Sequence, residues 1–182
     1  MVDFQLFHFA APPRCASTWF LRAAALAGLP HVQAAGQSLI PHEFDNAPVL
    51  KVSLVCNPCD WLASYWANVW PRRIGVPVVD RFASLPGGTF DDFIWAYLAG
   101  DAGTVGQMFA AYNADSFIRV EDLPHGMTEL LQTFGVARGA ASAMAHLRRL
   151  NVTAAPPEYP DGLQLSVRAA EAEMCEQFNY WG

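Results

Sequence analysis

Two short clusters in this sequence hold side chains able to do chemistry. In Pro13-Arg14-Cys15-Ala16-Ser17-Thr18-Trp19 an arginine is followed closely by two hydroxyls. A guanidinium presents a planar fork that matches phosphate or sulfate, and hydroxyls add further donors, so this cluster can hold an anion from several sides. In Cys56-Asn57-Pro58-Cys59 two thiols stand at a spacing used in dithiol chemistry.

Both clusters fall where a strand hands over to a helix. Phe4 to Phe9 is a short apolar run closed by Ala10-Ala11-Pro12-Pro13, and Thr18 to Ala27 are helix formers stopped by Gly28 and Pro30. Arg14 to Thr18 therefore occupy a turn whose free backbone N–H groups converge at the positive end of a helix, a geometry that binds anions. Taken alone, the same residues describe an ordinary helix start capped by Thr18 or Ser17. The turn lacks a Gly-Lys-Ser/Thr ending, so the magnesium–triphosphate arrangement is not expected. Val49 to Val55 predicts a second strand, buried on both faces, and Pro58 opens a helix through about Trp70. There the helix dipole would favour a thiolate, and the pair resembles the Cys-x-Pro-Cys of thioredoxin-like oxidoreductases.

Downstream, Pro71 to Gly88 predicts a long surface loop and Thr89-Phe90-Asp91-Asp92 a helix start that brings Phe93, Ile94, Tyr97 and Leu98 onto one face. Helices are predicted over about Thr104 to Tyr112, from Pro124 to Phe134, and over about Ala140 to Leu150 and Leu163 to Phe178, with a strand over Ser116 to Val120. Strands alternating with helices predict an α/β fold, a three-layer domain around a central, mainly parallel sheet with ligands at the carboxyl ends of its strands.

Composition narrows the function. The 182 residues fit one domain, 1–182, and 53% apolar residues supply a continuous core. The net charge of −6 argues against a nucleic-acid surface, so any anion site must be local. Ten of the eleven basic residues are Arg, which suits fixed bidentate contacts, although a high-GC coding bias would give the same ratio. No apolar stretch approaches the roughly 20 residues of a bilayer crossing, and the first residues lack the basic start of a secretory signal, so a cytoplasmic protein with reduced thiols is expected. One cysteine pair without a His pair does not make a zinc site, and no metal is expected.

The Pro13 to Trp19 segment resembles the donor-binding loop of the sulfotransferases that use 3′-phosphoadenosine 5′-phosphosulfate (PAPS), commonly Pro-Lys/Arg-Ser-Gly-Ser/Thr-Thr-Trp. Val55-Cys56-Asn57-Pro58-Cys59-Asp60-Trp61-Leu62-Ala63-Ser64-Tyr65 resembles in register the same family's Val-Arg-Asn-Pro-Tyr-Asp-Trp-x-x-Ser-Tyr. Arg119-Val120-Glu121-Asp122-Leu123 resembles its Arg-x-Glu-Asp-Leu, and Phe178-Asn179-Tyr180 its Phe-Gly-Tyr ending. The resemblance implies a sulfotransferase-like P-loop fold and transfer of a sulfonate from PAPS to a hydroxyl or amine of a small molecule or glycan.

Carried over residue by residue, it implies that Arg14 contacts the phosphosulfate and stabilises charge during transfer. Cys15, Ala16, Ser17, Thr18 and Trp19 complete the donor loop, while Cys56 and Ser64 stand at the 3′-phosphate. Cys15 and Ala16 replace the usual Ser-Gly, and Ala16 requires a backbone conformation that alanine tolerates. Cys56 replaces the usual Arg, removing one charge-assisted contact worth about 1.5–3 kcal/mol. Arg72 and Arg73 could compensate if they folded back. His42, between the two donor motifs, stands where many members carry a catalytic base, and Glu43 beside it could serve the same role. Arg119 and Glu121 are expected as structural partners. A sulfotransferase-like binding protein without turnover and a thiol oxidoreductase using Cys56 and Cys59 stand as alternatives.

Overall fold

A computed structural model describes residues 2–3, 6–29, 32–33, 49–68, 88–135, 147, 155–160 and 162–181. In chain order these form β1 (Val2–Asp3), β2 (Phe7–Phe9), α1 (Ser17–Leu26), β3 (Val32–Gln33), β4 (Leu50–Val55), α2 (Pro58–Asn68), α3 (Phe90–Gly100) and α4 (Thr104–Ala110). They continue with β5 (Ser116–Arg119), a 3-10 turn (Val120–Asp122), α5 (Leu123–Thr133), α6 (Leu163–Ala170) and α7 (Ala172–Gln177). The chain divides into two compact units, Met1–Val55 with Ala111–Val152 and Cys56–Ala110 with Thr153–Gly182.

The first unit holds a five-stranded sheet in the order β3-β1-β2-β4-β5. β2, β4 and β5 are parallel, pairing Phe9 with Val52 and Val52 with Ser116, and β1 runs antiparallel to both of its neighbours. This is an α/β architecture. Of the apolar run from Phe4 to Phe9, expected as one strand, Phe7–Phe9 forms β2, while Phe4 and Gln5 lie outside the described residues. Val2 and Asp3 pair back onto Phe9 and His8. The period of two in a strand puts Phe7 and Phe9 on one face. Phe20 of α1 stacks on Phe9 at 3.9 Å and meets Phe7 edge-on at 6.3 Å, while Phe134, just past α5, stacks on Phe7 at 5.4 Å. Burying each such ring is worth about 1.5–3 kcal/mol, which fixes α1 against the strand that precedes it. Gly28, with φ 72, closes α1 as only an achiral residue does without strain: its N–H reaches Ala25 O and the Leu29 N–H reaches Ala24 O.

In the second unit α2 packs on α3 and α6, and α3 also packs on α6. The i, i+4 spacing of Trp61 and Tyr65 stacks them at 5.2 Å, and Tyr65 continues to Phe93 at 6.2 Å. Thr89 and Asp92 form a reciprocal capping box at the start of α3. The helix expected over Leu163 to Phe178 is broken into α6 and α7 at Glu171, which leaves helical geometry at φ −109 and ψ 32. The cause is tertiary. Glu171, 3% exposed, turns its carboxylate inward to accept the Tyr97 hydroxyl, the Val105 N–H at 3.2 Å and the Gly106 N–H at 2.7 Å. Gly106 permits that approach, since a Cβ there would lie 2.9 Å from Glu171 Oε2. Among the described residues no helix is long and apolar enough to cross a membrane. Apart from Gly88, the loop predicted over Pro71 to Gly88 lies outside the described residues, as does, apart from Leu147, the helix predicted over about Ala140 to Leu150.

Candidate functional site

The turn between β2 and α1 begins at the carboxyl end of β2, one of the three parallel strands, the end at which ligands bind in open α/β folds. The Ala10 N–H donates to Val52 O at 3.1 Å, holding the chain against β4 as it leaves the strand, and the Cys15 N–H donates to Pro12 O at 3.3 Å. Arg14 has φ 67 and Ala16 φ 50, with Cys15 between them outside the positive-φ region. In phosphate-binding loops an alternation of backbone handedness can turn successive N–H groups toward one concavity that receives anions; here the N–H of Cys15, between the two, is given to Pro12 O. The left-handed conformation costs a non-glycine residue about 1–2 kcal/mol. Ala16 therefore occupies the region that glycine visits freely and alanine only at a cost.

The start of α1 differs from an ordinary capped helix. Its N-cap is Ala16, which brings no side-chain oxygen, and neither Ser17 nor Thr18 caps the helix. The Trp19 and Phe20 N–H groups both go to Ala16 O, at 2.9 and 3.1 Å. The side chains divide by burial. Cys15 and Trp19 are buried, Trp19 Nε1 donating to Leu147 O at 3.4 Å, while Arg14 and Ser17 are half-buried and Thr18 is exposed. Trp19 and Cys15 thus anchor the turn, and Arg14, Ser17 and Thr18 are its solvent-accessible polar groups. The buried Tyr112 belongs to the same unit. Burial pushes its phenol up, the charge of Cys15 adds to this, and its hydroxyl has no hydrogen-bond partner among the described residues.

The helix start of α2, in the second unit, is arranged differently. Pro58 has no N–H to offer, the Cys59 N–H donates to Asn57 Oδ1 at 2.9 Å, and the Trp61 N–H donates to Asn57 O at 2.9 Å. Asn57 thus caps the Cys59 N–H with its side chain and Pro58 removes a donor, whereas the start of α1 has no side-chain cap. Cys56 is 5% exposed and Ser64 is half-buried, with Asn68 Nδ2 donating to the Ser64 carbonyl at 2.9 Å.

Cys59 is fully buried, and its thiol donates to Gln164 O at 3.7 Å. Burial pushes it up to about 12, outweighing the Arg168 guanidinium, which acts in the opposite direction. The Tyr159 hydroxyl donates to Cys59 O at 2.8 Å and closes the surroundings of this residue. A helix N-terminus was expected to favour a thiolate at this pair, but at Cys59 desolvation is the larger effect. Cys56 and Cys59 carry thiols and are not joined in a disulfide.

Arg119 meets Asp122 at 3.4 Å and Glu121 at 4.0 Å, so these charges are engaged within their own segment. His42, Glu43, Arg72 and Arg73 lie outside the described residues. No cluster of three His, Cys, Asp or Glu side chains able to hold a metal occurs among the described residues. The sequence reading missed Glu171 as a buried hub, because a glutamate within Ala170-Glu171-Ala172-Glu173 has the pattern of a solvated helix charge. It likewise passed over Tyr112, which follows α4 without any motif.

Comparison of the chain with protein-family models, with curated proteins and with solved structures found no match.

Proposed function

We propose that the chain is a small sulfotransferase of the PAPS-using kind, with the P-loop-type three-layer fold of that family, transferring a sulfonate to a hydroxyl or amine of a small molecule or glycan. The observation that carries this reading is the β2–α1 turn. It combines a helix start without a side-chain cap, positive φ at Arg14 and Ala16 on either side of Cys15, and a forked cation within the turn. Those three features suit a phosphosulfate better than they suit a simple helix cap. Ser17 and Thr18, on the first turn of α1, supply hydroxyl donors toward the 5′-phosphate.

Sulfonate transfer is an in-line displacement at sulfur. The acceptor oxygen or nitrogen bonds to sulfur as the bond from sulfur to the bridging phosphate oxygen breaks, and adenosine 3′,5′-bisphosphate leaves with that electron pair. Negative charge grows on the bridging oxygen, where Arg14 and the N–H groups of the turn stabilise it. The acceptor's proton goes to a base, for which His42 or Glu43 is proposed. No metal is needed in this scheme.

Cys56 favours a second reading, a donor-binding protein without turnover, because a neutral and nearly buried side chain stands where the resemblance puts a cation. The buried, weakly acidic thiol of Cys59 counts against the oxidoreductase alternative. Calorimetric titration with adenosine 3′,5′-bisphosphate tests the donor site without knowledge of the acceptor. Binding without magnesium is expected. No heat at millimolar ligand, with binding of a different nucleotide, removes the donor assignment.

A further inference from the structure

We draw no further inference here: the strongest candidate, the Tyr112 hydroxyl in the turn between α4 and β5, which is fully buried and has no hydrogen-bond partner among the described residues, carries nothing, because only an electrostatic effect of Cys15 on its phenol ties it to the β2–α1 turn.

Discussion

Arg14 and Ala16 hold positive φ without being glycine, and the chemistry of their side chains separates what each contributes. Arg14 is half-buried, whereas Cys15 and Trp19 of the same turn are buried in the core. If it meets charge that develops only as the sulfur–oxygen bond breaks, Arg14→Ala lowers turnover about a hundred- to a thousandfold, with a smaller effect on donor affinity. On the same reading Arg14→Lys is expected to recover part of this, since a point charge would still reach the bridging oxygen. Steady-state rates with an acceptor found by screening, and circular dichroism to confirm folding, check both variants. A folded Arg14→Ala protein with wild-type turnover would reduce the turn to a helix start. Ala16 reports on the backbone instead. Ala16→Gly relieves the left-handed cost and offsets the entropy that glycine adds to the unfolded chain, so stability stays within about 1 kcal/mol of wild type or rises. Ala16→Val, a β-branched residue in the same conformation, destabilises by more than Ala16→Gly changes stability in either direction. Urea melts of the two variants decide this, and a glycine variant weakened as much as the valine one would contradict the positive φ.

At the scale of elements, the two helix starts that share a strand-to-helix position are chemically unlike. α1 begins at an alanine, and α2 begins at Asn57-Pro58, where donors are capped or absent. Cys59, on the first turn of α2, reports how far burial outweighs the helix dipole. In the native protein at pH 8 it should resist alkylation by iodoacetamide and become reactive in urea, as mapped by mass spectrometry of the modified peptides. Its pKa is raised in the fold, so the unfolded chain ionises first. Its contribution to stability is full below 9.0 and is lost as pH rises from there toward about 12.

Glu171 obeys the same sign. Burial raises it above 4.5 despite the N–H groups of Val105 and Gly106 that pull it down, so it weakens the fold as pH climbs from 4.5 through its folded value. Glu171→Gln, which has no proton to lose, should flatten that part of the pH–stability curve. Glu171→Ala leaves buried donors on α3 and α4 without an acceptor and costs at least about 1–3 kcal/mol. Chemical denaturation across pH 4 to 8 reads both variants; an alanine variant as stable as wild type would mean that the clamp between α4 and the α6–α7 junction contributes nothing.

For the whole molecule, a ligand that binds only the folded state adds RT ln(1 + [L]/Kd), about 2.7 kcal/mol at a hundredfold excess over Kd. Adenosine 3′,5′-bisphosphate is therefore expected to raise the melting temperature, equally with magnesium and with a chelator present. A shift that requires magnesium would point to a nucleotide triphosphate chemistry for which the turn has no lysine. A shift abolished by Arg14→Ala but retained in the double variant Cys56→Ser, Cys59→Ser would favour the anion reading of the first turn over a thiol chemistry in α2.

The elements around the candidate site were legible because their signals are local. Pro12-Pro13 ends one strand, Gly28 ends the helix after it, Pro58 opens α2 and Thr89 with Asp92 opens α3, each acting through the backbone of its own few residues. The parallel ladder of β2, β4 and β5 followed from the same alternation of strands and helices. Three things were settled only by contacts between distant parts of the chain. β3 pairs with β1 from about thirty residues downstream, Val2 opposite Gln33 and Asp3 opposite Val32, because a sheet edge accepts a strand from elsewhere in the chain, which no periodicity announces. Glu171 breaks a helix that its sequence would continue, because α3 and α4 offer donors some 65 to 74 residues away. The acidity of Cys59 depends on Gln164, Arg168 and Tyr159 closing over it, about a hundred residues downstream. Sequence spacing can place a thiol at a helix start, but desolvation is a property of everything packed around it, and that packing exists only in the folded chain.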